Sequence, residues 1–217
     1  MKTRIILAAL AASVLMAGEA QAAQIYFQDF ANGLNANEQV GGDFAVAGGS
    51  VGHTSYYRPN DYSYYQVRLD LTDASSALLM FDFKINSEYT WDGLGVAAST
   101  NGVFSAQKAL TPTVPELYGN LQGSARDLLG PKGLSGISQG RASFDLSHLV
   151  GQTIFLRFQF ASDGAVTGDG VDLDNISVTG SIPSAVPEPA TWAMMIAGFG
   201  MAGSAIRRRR RWDLATA

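Results

Sequence analysis

The chain has 217 residues, with 15 Lys plus Arg, 19 Asp plus Glu and no cysteine, for a formal charge of −4. The missing cysteine excludes disulfides, a cysteine nucleophile and a lipid-modified cysteine anchor. Residues 23–184 carry 16 acidic against 8 basic side chains, a net of −8. That balance argues against a nucleic-acid partner and suits solubility, calcium or a neutral sugar.

Lys2 and Arg4 precede an apolar stretch, Ile5 to Met16, and a small-x-small site, Ala20-Gln21-Ala22. This pattern predicts a secretory signal peptide over residues 1–22, cut after Ala22. Residues 23–184 then suffice for one domain with a core. Gln24 to Phe30 reads as a first strand, ended by Ala31-Asn32-Gly33. Gly41-Gly42 and Gly48-Gly49 punctuate a loose region containing Phe44 and Val46. A tyrosine-dense stretch, His53 to Tyr65, is broken by Pro59-Asn60-Asp61, and Tyr64 to Leu71 reads as a strand.

Two segments alternate cleanly. Leu79, Phe81, Phe83 and Ile85 share one face, as do Ile154, Leu156, Phe158 and Phe160. Period-2 alternation of this kind predicts half-buried strands of an antiparallel sheet. Leu94 to Ser99 is a further strand, and Asn101-Gly102 is a hairpin-type turn leading to a strand over Val103 to Gln107. Thr111 to Gly140 breaks the strand spacing and reads as an inserted loop with a weak helix within Pro115 to Leu129. Its length fits a functional loop or an ornament. In Val171 to Thr179 the apolar parity changes between Leu173 and Ile176, which predicts a bulge near Asp174-Asn175. Many short strands and little helix predict an all-β sandwich.

The tail reads Pro187-Glu188-Pro189, then 17 uncharged residues from Ala190 to Ile206, then Arg207, Arg208, Arg209, Arg210 and Arg211. As a helix, the apolar run covers about 25 Å at ~1.5 Å per residue, the short end of a bilayer span. The arginines favour the cytoplasmic side. Together with Trp192-Ala193-Met194-Met195-Ile196, Gly198-Phe199-Gly200 and Gly203, residues 187–211 resemble a PEP-CTERM sorting signal. The resemblance implies recognition by an exosortase near Pro-Glu-Pro and a transient anchor in the inner membrane of a Gram-negative bacterium. It also implies delivery to the cell surface or an extracellular matrix that contains polysaccharide.

Three further segments carry a second resemblance: Asp70-Leu71-Thr72 with Ala77 to Phe83 and Trp91 to Val96; Phe144 to Ser147 with Gly151 to Phe158; and Ala161 to Gly164 with Gly168 to Ile176. In order and spacing they resemble jelly-roll modules of the MAM and immune-inhibitor-A-like type. This implies a single jelly-roll domain over residues 23–184, with adhesive, sugar-binding or accessory roles. The chain departs from extracellular versions in lacking cysteine.

Hard cations need several oxygen ligands. Asp163, Asp169, Asp172 and Asp174 crowd a glycine-rich stretch, and related jelly rolls pair a first-strand carboxylate, here Asp29, with a last-strand one. These five are the expected ligands of a structural calcium, or else a solvated acidic loop. Sugar stacking needs exposed rings beside polar groups; the candidates are Tyr56, Tyr57, Tyr62, Trp91 and Asp92, which otherwise pack the sandwich edge. The sequence offers no cysteine nucleophile and no His-Glu-x-x-His motif. A carboxylate pair such as Glu88 with Asp92 or Glu116 stays open as a hydrolase reading. The leading expectation is a non-catalytic surface or matrix protein associated with exopolysaccharide. A calcium-dependent carbohydrate-binding module and a weak extracellular hydrolase are the alternatives.

Overall fold

A computed structural model describes residues 21–113, 119–182, 194–204 and 207. The chain divides into two units, one of residues 21–182 and one that includes residues 183–217. In the first, the strands are β1 (Gln21–Gln28), β2 (Glu38–Gly41), β3 (Phe44–Ala47), β4 (Ser50–His53), β5 (Tyr62–Asp70) and β6 (Leu78–Asn86). They continue as β7 (Gly93–Ser99), β8 (Gly119–Asn120), β9 (Lys132–Gly133), β10 (Ile137–Asp145), β11 (Thr153–Ala161) and β12 (Gly170–Ile182), with helix α1 at Gly123–Leu129.

One sheet runs β10-β6-β12-β4-β3, and β1 also pairs with β12; the other runs β2-β5-β11-β7, while β8 and β9 form a short ladder. Every pairing is antiparallel. The domain is an all-β, jelly-roll-like sandwich. Its core is built by the two alternating segments: Leu79, Phe81, Phe83 and Ile85 of β6 and Ile154, Leu156, Phe158 and Phe160 of β11 are all buried. Phe81 and Phe158 meet edge to face across the two sheets, with ring centroids 4.9 Å apart. Such pairs add to area burial because the positive ring edge meets the negative face.

The bulge in β12 is present. Between Asp174 and Ser177 the register against β6 shifts, so Val171 and Leu173 on one side and Ile176 and Val178 on the other all reach the core. Asn175 takes up the extra residue at φ 49°, a conformation asparagine tolerates better than most residues.

Three expectations need correction. Val103 to Gln107 forms no strand; it leads into a single 3-10 turn at Ala106–Lys108, and Leu110 bonds the edge of β7 instead, its amide donating to the Val96 carbonyl at 2.7 Å. The region of Phe44 and Val46 is not loose but the strand β3, paired to β4 through four residues. Ile137 to Gly140 belongs to β10, not to the insertion. Within the insertion the helix is only Gly123–Leu129, and residues 114–118 lie outside the described ones. Leu121, Ala125 and Leu129 pack on Ala161 and Tyr62 as a second small core, so the insertion covers part of the four-stranded sheet.

β1 begins at Gln21, with Gln21 opposite Ile182 and Ala22 opposite Ser181. A cut after Ala22 would remove those two pairs and leave the ladder from Ala23 onward. In the second unit, residues 194–204 are helical, with Met194, Met195, Ile196, Phe199 and Met201 exposed. Among the described residues no helix is long and apolar enough to cross a membrane. Most of the expected signal peptide, Pro187-Glu188-Pro189, Trp192 and Arg208 to Arg211 lie outside the described residues; Arg207 is helical.

Candidate functional site

Three connections meet at the end of the sandwich where β12 begins: residues 54–61 after β4, 87–92 after β6 and 162–169 after β11. Backbone bonds stitch them together. Tyr57 N–H donates to the Gly168 carbonyl at 3.1 Å, Asn60 N–H to Asp163 at 2.6 Å and Ser162 N–H to Asp61 at 3.0 Å. Asp92 sits at the centre, 0% exposed. Its Oδ2 accepts the Tyr57 hydroxyl at 2.6 Å and its Oδ1 the Asp163 amide at 2.8 Å. The 87–92 turn is closed by Asp92 N–H on the Glu88 carbonyl at 3.1 Å, and the Ser135 hydroxyl donates to the Asp92 carbonyl at 2.6 Å. Thr90 is held at φ 68°, a strained value for a β-branched residue; its amide donates to Ser135 Oγ at 2.7 Å.

Carboxylate oxygens of Glu88, Asp92 and Asp163 all lie within 4.8 Å of one another. Glu88 Oε2 is buried and no hydrogen bond reaches it. Burial pushes the Asp92 carboxyl above the usual carboxylate range; the Tyr57 and Asp163 donors oppose this, and the charges of Asp163 and Glu88 reinforce it. Burial also raises the Tyr57 hydroxyl, reinforced by Asp92. Tyr57 therefore stays a neutral donor.

The expected site residues are only partly brought together. Of the five calcium candidates, Asp163 joins this cluster and the other four do not. Asp29 accepts the Ala31 amide, Asp169 the Asn86 side chain, and Asp174 the Asn175 amide. Asp172 lies on β12 opposite Gly52 and Lys84. Of the five sugar candidates, Tyr57 and Asp92 are buried and present no ring or carboxylate to solvent. Tyr56 and Trp91 are exposed, as is Tyr89. Tyr62 lies elsewhere, on the outer face of the four-stranded sheet, where its hydroxyl donates to Gln159 Oε1 at 3.1 Å.

That outer face carries a further group. The Arg157 guanidinium is 4.0 Å from the ring centroids of both Tyr64 and Phe104, and its Nε and Nη2 donate to Gln66 Oε1 at 2.9 and 2.6 Å. The alternation of β11 puts Arg157 and Gln159 on this face, but nothing in the sequence pairs them with Phe104. His53 is committed to the core: Nδ1 accepts the Val171 amide at 3.1 Å, so Nε2 carries the hydrogen that faces Asp61 at 2.9 Å. An open depression of about 320 Å³ lies between Ser76 to Leu78, Asp145 and Thr179 to Ser181, and Asp145 is its one carboxylate.

A family model described as the PEP-CTERM protein-sorting motif matches residues 185–211. The motif implies an exported protein sorted at the membrane and processed by an exosortase. No curated protein matches the chain significantly. Among solved structures, the K3 cleaved adhesin domain of Lys-gingipain from Porphyromonas gingivalis is similar at 17% identity and a TM-score of 0.48, over 73% of this chain and 100% of that one. TmCBM61, solved with β-1,4-galactotriose, is similar at 10% identity and 0.43, over 70% and 94%. A family 29 carbohydrate-binding module from Piromyces equi is similar at 13% and 0.41, over 77% and 96%.

Proposed function

We propose that this is a non-catalytic surface or matrix protein, exported by its N-terminal signal. In this reading the tail holds it briefly in the inner membrane, exosortase processes it, and it is delivered to an extracellular polysaccharide or biofilm. The observation that carries the reading is the sorting motif at residues 185–211, placed directly after a sandwich that ends at Ile182. The exposed apolar side chains of residues 194–204 support a membrane-seated tail. That the sandwich is a MAM or immune-inhibitor-A-like module is part of the same reading.

The test is fractionation of cells that express the full chain, a chain ending at Ser184, or Pro187→Ala with Pro189→Ala, with and without exosortase. The expected outcome is a shortened surface form only for the full chain with exosortase, and loss of the matrix phenotype in the other strains. Identical location and matrix phenotype for all of them would overturn it.

A second reading, a carbohydrate-binding module, is favoured by one observation: Tyr89 and Trp91, 70% and 40% exposed, lie on the same loop as Glu88 and Asp92 of the acidic cluster. Flat exposed rings beside oxygen ligands are what pyranose stacking uses. A glycan array screened with and without calcium tests it; silence in both removes it. Of the two hydrolase pairs, Glu88 with Asp92 is disfavoured because Asp92 is fully enclosed, while Glu116 lies outside the described residues.

A further inference from the structure

We infer that Glu88, Asp92 and Asp163 bind a hard divalent cation, calcium, that locks the three end loops of the sandwich together. The site differs from the one the acidic run in the sequence points to, sharing only Asp163 with it, and it is independent of the sorting reading.

The argument starts from charge. Asp92 is fully buried, and ionised carboxylates are buried only with a partner charge or a metal. The ion pairs among the described residues are His53–Asp61, Arg58–Asp43 and Arg141–Asp82, so no basic side chain serves this cluster. Hydrogen bonds satisfy Asp92, but they do not supply a countercharge for three carboxylates.

The second observation is Glu88 Oε2. It is shut off from solvent with no donor within reach. A buried carboxylate oxygen without a donor is costly to leave unmade, and a cation is the partner that would satisfy it. Geometry agrees. Ligands on opposite sides of a calcium ion, each at ~2.3–2.6 Å, stand about 5 Å apart, and the three oxygens lie within 4.8 Å. One ion can therefore reach all three with at most a small adjustment of the side chains. The donors are oxygen throughout, with no nitrogen or sulfur, which selects calcium over zinc or copper. The Val166 carbonyl, 3.4 Å from the Tyr57 hydroxyl, is a further oxygen at the rim. Water or the hydroxyls of a ligand would complete the shell.

The experiment uses the purified full chain, scanned calorimetrically in chelator and in calcium. A second readout is terbium luminescence, sensitised by exciting the indole of Trp91 and the phenol of Tyr57. The expected result is a melting temperature raised by roughly 5–10 °C at a hundredfold excess of calcium over Kd, with terbium emission displaced by calcium. Glu88→Gln and Asp163→Asn should lose both responses, whereas Asp169→Asn and Asp172→Asn should keep them. Glu88 has no protein donor on Oε2, so its amide variant loses no hydrogen bond there and still folds in chelator. The proposal is overturned if the parent shows neither shift nor emission. It is equally overturned if Glu88→Gln and Asp163→Asn respond like the parent, or if Asp169→Asn or Asp172→Asn abolishes the response instead.

Discussion

Taking one oxygen from Tyr57 tests how the loop end is held. Its hydroxyl donates to a fully buried carboxylate, and hydrogen bonds to charged groups contribute about 1.5–3 kcal/mol. Tyr57→Phe is therefore expected to lower stability by about that amount in urea titration, with the core otherwise unchanged. Asp92 predicts a pH effect of definite sign. Its folded pKa is raised, so the native state releases this proton less readily than the unfolded chain. Its contribution to stability falls as pH rises from about 4, the unfolded value, through the raised one. Asp92→Asn keeps an acceptor for the Asp163 amide and removes the charge. In chelator the variant should match the parent at low pH and exceed it near neutrality; in calcium the order should reverse. Glu38 acts in the opposite sense. Burial pushes it up, but donors from Tyr26, Asn35 and Gln28 outweigh this and hold it low. Its contribution is full above the unfolded value and is lost as pH falls through the folded one.

At the scale of elements, β12 is the strand on which most else is aligned. Asn175→Val should cost about 1–2 kcal/mol, the expense of a left-handed conformation for a side chain that resists it, read as a lowered urea midpoint. Gly52→Ala should cost more, toward the upper end of about 1–3 kcal/mol, because a Cβ there collides with the Val171 carbonyl across the ladder. The bulge, β6 and β11 were legible because parity along a strand is local information. β3 and β10 were not, since Phe44 to Ala47 and Ile137 to Gly140 are glycine-flanked and only their partners reveal them as strands. The candidate site was legible in pieces. The sequence offers Tyr57 and Asp92 for stacking and Asp163 for calcium, yet they form one cluster. In the sequence Glu88 stands out only as a possible catalytic carboxylate. Asp92 and Asp163 are 71 positions apart, and no spacing rule joins residues that meet only when three loops close.

At the scale of the whole molecule, the sandwich and the tail do different work, and the sequence declares the tail far more openly than the sandwich. A sorting signal is read as a linear string, so its prolines, tryptophan and arginines must appear in order. A sandwich needs only a pattern of buried and exposed positions, which many sequences satisfy. Exchanging the sandwich for an unrelated exported domain should therefore leave processing intact, and fractionation with an antibody to the new domain checks this. The course of β12 has a mechanical consequence. The acidic loops lie where it starts, at Gly170, and the chain leaves for the tail where it stops, at Ile182, about 40 Å away along the strand. Tension between a polymer gripped at the loops and a tether at the tail would run lengthwise down this strand. It is hydrogen-bonded to β6 on one side and to β4 and β1 on the other, so the load falls on both ladders in shear. Their bonds would share the force together instead of unzipping one at a time.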